Sequence, residues 1–158
     1  YYDGAEPSGN SVAARALLRL SKITDDEKYS APAEQTLKHF AGKIREIPQA
    51  VPYMLGALDL SLNEPKRVVL VGDVGLDATQ KMLVAVHGVF QPSKVVLGVE
   101  GPVEKFAREE LKPNAEAGKV NVFVCQGTFC ELPTSDPLKV VASLAEMAEP
   151  TPEPDSGG

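Results

Sequence analysis

The pattern of hydrophobic and polar positions divides the chain near residue 65. Before that point apolar residues recur every three or four positions, which is the spacing of helices that bury one face. The spacing predicts three helices: one over about residues 11–23, one from about residue 29 that Pro48 ends, and one over about residues 49–62. Because the turns between them are short, we expect the helices to pack as antiparallel neighbours.

Capping and proline positions refine two of these boundaries. Ser8 or Asn10 can cap the first helix, because either side chain can accept a hydrogen bond from a free amide of the first turn. Pro32 is tolerated in a helix only near its start, so the second helix is expected to begin near Ser30.

The second half alternates short apolar runs with helical patterns. Residues 68–71 are consecutive apolar residues closed by Gly72 and Asp73, which is typical of a strand buried on both faces. Strands that alternate with helices predict an α/β unit with a parallel sheet. We expect three strands and three helices: strand 67–72, helix 77–90, strand 94–99, helix 102–111, strand 120–125 and helix 136–147.

The expected organisation therefore has three parts. Residues 1–65 form a helical segment, and residues 66–148 form a small α/β domain. Residues 149–158 carry three acids, three prolines and no large apolar side chain, so we expect a disordered tail.

Composition excludes some classes of function. The net charge of −6 in 158 residues, with no basic stripe, argues against a nucleic-acid partner. No apolar run approaches the roughly 20 residues that span a bilayer, so no membrane helix is expected. Two cysteines make no disulfide scaffold, which favours the cytoplasm. The chain begins with Tyr1 rather than Met, which suggests a fragment or a processed product.

The segment from Asp3 to Ser11 is the strongest candidate for a site. It places Asp3 and Glu6 just before a helix, and paired carboxylates serve sugar chemistry as acid, base or nucleophile. We consider Asp3 and Glu6 as catalytic acids and Asn10 as a substrate ligand. The alternative is structural: Ser8 and Asn10 cap the helix, and the two acids bind backbone amides.

Cys125 and Cys130 follow the third predicted strand, at the edge where α/β sheets place their sites. They can be inert thiols, a disulfide or redox pair, or a metal contact. A turn at Gly127 would bring them within disulfide range. A zinc site needs about four ligands, and His39 and His87 lie on separate helices, so no metal is expected.

The glycine-containing loop 72–77 raises the possibility of a nucleotide. It has two glycines at the wrong interval for the dinucleotide fingerprint, and Asp73 and Asp77 would repel a phosphate. A capped turn is therefore the preferred interpretation, and no cofactor is expected.

The run Asp-Gly-Ala-Glu-Pro-Ser-Gly-Asn-Ser-Val-Ala-Ala at 3–14 resembles a characteristic segment of the spermatogenesis-associated, thioredoxin-domain-containing protein family. Later stretches are similar in the same order. These are Ala57-Leu58-Asp59, the strand 68–73 and the run Val-Cys-Gln-Gly-Thr-Phe-Cys-Glu-Leu-Pro at 124–133. The resemblance extends to about residue 147.

The resemblance implies a larger parent protein. Members of this family carry a thioredoxin-like domain and then an (α/α) barrel similar to that of N-acylglucosamine 2-epimerases. Helices 11–62 would be the closing helices of such a barrel, with the rest of the parent chain as their partner. The implied activity is unsettled and carbohydrate-related, with a sugar as the expected ligand. The fragment alone is expected to be inactive and to self-associate. A redox or protein-interaction module that uses Cys125 and Cys130 is the alternative.

Overall fold

The computed structural model describes residues 2–73, 75–98, 119–127 and 129–145. Within these residues, the helical half contains α1 (Gly9–Thr24), α2 (Glu27–Glu46), a 3₁₀ helix (Pro48–Ala50) and α3 (Pro52–Leu62). The second half contains β1 (Arg67–Val71), α4 (Asp77–Gly88), β2 (Val95–Gly98), β3 (Asn121–Gln126), β4 (Phe129–Cys130) and α5 (Pro137–Ala145). The predicted α/β class is confirmed. The helix predicted over 102–111 and the tail 149–158 lie outside the described residues.

The helical half forms around α1, which packs against both α2 and α3. Only Asp25 and Asp26 separate α1 from α2, so the two helices form an antiparallel hairpin. Their shared core consists of small and aliphatic side chains around one phenylalanine. These are Ala14, Leu18, Ala33, Leu37, Phe40, Val51, Met54, Ala57 and Leu60.

One helix boundary differs from the prediction. Ser8 caps α1, one of the two expected candidates, but α2 begins at Glu27 rather than near Ser30. The Asp26 side chain accepts a hydrogen bond from the amide of Lys28, which fixes the earlier start. Pro32 consequently lies in the second turn of α2, where it removes one backbone donor.

The sheet has four strands in the order β2-β1-β3-β4, with β1 in its interior. Strand β1 pairs with β2 in parallel, as predicted. It pairs with β3 in antiparallel register, and β3 pairs with β4 in the same way. The three predicted strands are all present, with a further two-residue strand, β4, at the edge of the sheet. The prediction that all strands are parallel is wrong for β3, which runs antiparallel to β1. A strand with four consecutive buried residues carries no pattern that encodes its direction.

Both faces of β1 are buried. On one face Val68 and Leu70 pack with α4 and α5 through Met82, Val86 and Val140. On the other face, Val69 and Val71 lie with Phe123 and Cys125, and Cys130 packs against this group. The division into two domains at residue 65 stays a prediction. Within the described residues, no helix is both long and apolar enough to cross a membrane.

Candidate functional site

The N-terminal loop is anchored by the carboxylate of Asp3. Its Oδ1 accepts a hydrogen bond from the amide of Ser8 at 2.7 Å. Its Oδ2 accepts from the amides of Tyr53 at 2.9 Å and Met54 at 3.1 Å. The amide of Asp3 in turn donates to the carbonyl of Ala50 at 2.9 Å. One side chain therefore ties the loop to the start of α1 and the start of α3.

This arrangement supplies a cap that α3 lacks in its own sequence. Val51 occupies the N-cap position and has no side chain that could accept a hydrogen bond. The first amides of a helix have no partner inside the helix, and a negative charge at that end is favourable. Asp3 meets both requirements from about 50 residues away along the chain.

The environment of Asp3 keeps it ionised. The side chain is only 6% exposed. Burial raises the pKa of Asp3, but hydrogen bonds from the Ser8 amide, the Ser11 hydroxyl, the Met54 amide and the Ser8 hydroxyl together lower that pKa below its ordinary value. At neutral pH the group is a carboxylate that accepts hydrogen bonds and has no proton to give.

Glu6 and Asn10 have a different environment from Asp3. Both are exposed, Glu6 in the loop and Asn10 in the first turn of α1. The carbonyl of Glu6 accepts from the amide of Gly4 at 3.2 Å, which tightens the loop around the exposed side chain. The structure thus brings Asp3 to backbone amides and leaves Glu6 and Asn10 facing solvent.

Sequence reasoning missed the other half of this arrangement. The amides of Tyr53 and Met54 are backbone groups, so the residue types at these positions do not indicate their role. Ser11 is fully buried, with its Oγ 2.8 Å from that of Ser8. One indication was present in the chain: the Val51-Pro52 helix start has no Ser, Thr, Asp or Asn to cap it. A helix start without a local cap indicates a cap from elsewhere.

Cys125 and Cys130 form a disulfide, with their Cα atoms 4.0 Å apart. They are register partners in the β3–β4 hairpin, next to the pair Gln126 and Phe129. Gly127 lies in the turn with a φ of 56°, a left-handed conformation that favours glycine. Of the three states left open above, the disulfide is the one that this structure contains.

Metal ligands do not gather in the part of the chain that is described. Among those residues, no three or more Cys, His, Asp or Glu side chains form a group that could hold a metal ion. The two candidate sites considered further are the loop at residues 3–10 and the disulfide hairpin.

The fold defines an α/β chain with a helical N-terminal half, and its sequence is similar to that of longer proteins. Spermatogenesis-associated protein 20 of Rattus norvegicus is 31% identical over 142 residues, which cover 87% of this chain and 18% of that protein. The human protein of the same name gives the same values. An uncharacterized protein of Caenorhabditis elegans is 31% identical over 153 residues, or 92% of this chain and 20% of that protein.

The chain is therefore similar in sequence to these proteins over most of its own length. It spans about a fifth of the length of these curated relatives. No protein-family model matches the chain. No solved structure matches it either.

Proposed function

We propose that these 158 residues act as part of a longer, carbohydrate-directed protein, and that the loop at residues 3–10 contributes to its sugar site. The observation that carries this proposal is the triple backbone ligation of Asp3, which holds the loop while Glu6 stays in solvent. A fixed loop with exposed polar side chains is what a sugar site requires, because positioning lowers the entropy cost of binding.

The three candidate residues take different roles in this proposal. Glu6 supplies the carboxyl group that acts as acid, base or ligand to a sugar hydroxyl. Asn10, in the first turn of α1, binds a second hydroxyl through its amide. Asp3 positions the loop, since its carboxylate is already bound by three amides and keeps a lowered pKa.

Two further observations support a site shared with other parts of a longer protein. The relatives are about five times longer than this chain. The resemblance of residues 3–14 to the barrel-containing family associates the same loop with a sugar-enzyme fold. The chain alone offers two helical hairpin ends, and a barrel site draws on loops from many hairpins.

The test is Glu6→Gln in the full-length parent protein. We expect sugar binding or turnover to fall at least about tenfold, which corresponds to about 1.4 kcal/mol. Binding is measured by calorimetry and turnover by product analysis, with a panel of mono- and oligosaccharides. The melting temperature should stay within a few degrees, because exposed substitutions usually change stability by less than about 0.5 kcal/mol.

Glu27→Gln is the matched control, because Glu27 is also an exposed acid but lies at the start of α2, which the antiparallel hairpin places beside the end of α1 and away from the loop. It should change neither sugar binding nor melting. A Glu6→Gln protein that binds sugars as well as wild type, or that unfolds, would remove Glu6 from the site.

A further inference from the structure

The disulfide hairpin presents its two sulfur atoms unequally. Cys125 is 1% exposed and lies on β3 among Val69, Val71 and Phe123. Cys130 is only partly buried and lies on the short edge strand β4. We propose that this disulfide is a thiol–disulfide exchange site that reacts with a dithiol reductant, and that Cys130 Sγ is the atom attacked. This inference is independent of the sugar site.

Accessibility decides which sulfur reacts first. Exchange requires the attacking thiolate to approach a disulfide sulfur directly. The covered position of Cys125 excludes that approach, whereas Cys130 is partly exposed on the edge strand β4. A reductant therefore reaches Cys130 from the edge of the sheet.

The exchange balances in two steps. A thiolate of the dithiol attacks Cys130 Sγ, the Cys125–Cys130 bond breaks, and a mixed disulfide forms while Cys125 leaves as a thiolate that takes up a proton. The second thiolate of the reductant then attacks the reductant's first sulfur, which is bonded to Cys130 Sγ. The mixed disulfide breaks, and Cys130 leaves as a thiolate that takes up a proton. The hairpin gains two electrons and two protons as two thiols, and the reductant becomes a cyclic or bridged disulfide.

The surrounding contacts allow this reaction without unfolding. The segment that follows Cys130 is held by the amide of Glu131, which donates to the carbonyl of Val124 at 3.0 Å. Val122 and Thr134 exchange two further backbone hydrogen bonds at 2.9 and 3.0 Å. The hydroxyl of Ser143 on α5 donates to Glu131 Oε1 at 2.6 Å. None of these contacts passes through a sulfur atom.

Loop size supports the same conclusion. The disulfide joins residues only five positions apart. Closing so short a loop removes little entropy from the unfolded chain, so the folded state depends weakly on the bond. A disulfide that contributes little to folding, on an accessible sheet edge, fits exchange better than a structural role.

The experiment equilibrates the intact 158-residue chain with dithiothreitol mixtures that range from mostly oxidised to mostly reduced, and a parallel sample is pulsed with reduced glutathione, whose single thiol cannot close a ring and so leaves the mixed disulfide in place. Samples are then quenched by alkylation for mass analysis. We expect the oxidised and reduced forms to interconvert across these mixtures, with the far-ultraviolet circular dichroism unchanged. A glutathione adduct trapped at early times should map to Cys130. A chain that stays oxidised in every mixture, or that loses its circular dichroism on reduction, would overturn the proposal.

Two variants test the direction of attack. The variant Cys125→Ser keeps only the thiol of Cys130, and Cys130→Ser keeps only that of Cys125. The Cys130 thiol should react with an aromatic disulfide reagent at least about tenfold faster than the Cys125 thiol, because the reactivity of a thiol depends on the accessibility of its thiolate. Equal rates, or a faster Cys125, would contradict the assignment of Cys130 as the attacked atom. Circular dichroism of both variants establishes that each is folded before the rates are compared.

Discussion

Arg67 and Asp25 form a bidentate ion pair that connects the first residue of β1 to the end of α1. Arg67 Nη1 lies 3.0 Å from Asp25 Oδ2, and Nη2 lies 2.9 Å from Oδ1. Arg67 Nη2 also donates to the carbonyl of Lys22 at 2.5 Å. Asp25 adopts a left-handed conformation with a φ of 54°, which ends α1 and turns its carboxylate toward the sheet. The pair thus fixes the helical half against β1.

Replacing Arg67 should lower the free energy of unfolding more than replacing Asp25. The Arg67 side chain is 11% exposed, whereas that of Asp25 is 71% exposed. We expect Arg67→Ala to lower the free energy of unfolding by about 2–4 kcal/mol, since it removes a buried charge-assisted network and its packing. Arg67→Lys should recover only part of this loss, because an ammonium cannot make the planar two-point contact. Urea denaturation measures each value.

Asp25→Asn is the matched control for that series. Asparagine tolerates the left-handed conformation, so the variant removes the charge and keeps the turn. Its cost should be below about 1 kcal/mol, as for exposed ion pairs. If Asp25→Asn proves as damaging as Arg67→Ala, the pair rather than the burial of Arg67 is the main contribution.

Asp3→Asn should destabilise the chain by about 1–3 kcal/mol at neutral pH, because it replaces a carboxylate bound by three amides with a group that has one acceptor oxygen. The effect should depend on pH. A lowered pKa in the folded state means that the stabilisation is complete above the unfolded pKa of about 4 and is lost as the pH falls through the folded value.

Urea denaturation of both proteins at pH 7 and at pH 3 or below measures this dependence. The difference in the free energy of unfolding between wild type and Asp3→Asn should become smaller at low pH. Glu6→Gln serves as the control, because the exposed side chain should leave stability nearly unchanged at both values. A gap that stays constant with pH would show that shape, not charge, explains the effect of Asp3.

The hydrophobic pattern predicted the helices and strands well because each buries apolar side chains at regular spacing. Predicted boundaries for α1, α3, β1 and β3 lie within three residues of those observed. The direction of β3 could not be predicted, since its run of four buried residues is the same in either direction. Strand β4 has only two residues, too few for any periodicity.

The candidate site was predicted less completely, and for a different reason. The segment 3–11 was identified by its crowded polar residues, yet the partners of Asp3 are backbone amides at residues 53 and 54. Backbone groups are the same at every position, so their role depends on folding that brings distant segments together. The proximity of Cys125 and Cys130 was easier to predict from the sequence, because both lie within six residues around Gly127.

A groove between α2 and α3 should cause the isolated chain to self-associate. Its volume is about 460 Å³, and besides Glu34, Lys38, Arg45 and Ser61 it is lined by apolar side chains of both helices. These are Leu37, Ala41, Ile44, Leu58 and Leu62, with Leu62 74% exposed. Exposed apolar patches of this kind favour association. In sedimentation velocity we expect the average mass to rise with protein concentration.

Leu62→Glu should suppress that association while leaving the fold intact, because the side chain is already exposed. Leu138→Glu is the matched control: Leu138 is 78% exposed but lies on α5, away from the groove. Association that Leu138→Glu abolishes and Leu62→Glu does not would place the contact on the second half of the chain instead.

Pro32→Ala should stabilise the chain. Pro32 is exposed and lies in the second turn of α2, where the carbonyl of Lys28 lacks its usual amide partner. Alanine restores that donor and removes the contact between the proline ring and the preceding turn, so we expect the free energy of unfolding to rise by about 1–3 kcal/mol.

Pro52→Ala is the control, because Pro52 is at the first position of α3, where the amide has no helical partner. Urea denaturation should show a gain for Pro32→Ala and none for Pro52→Ala. Equal effects would mean that both prolines act through the unfolded chain rather than through the helix hydrogen bond.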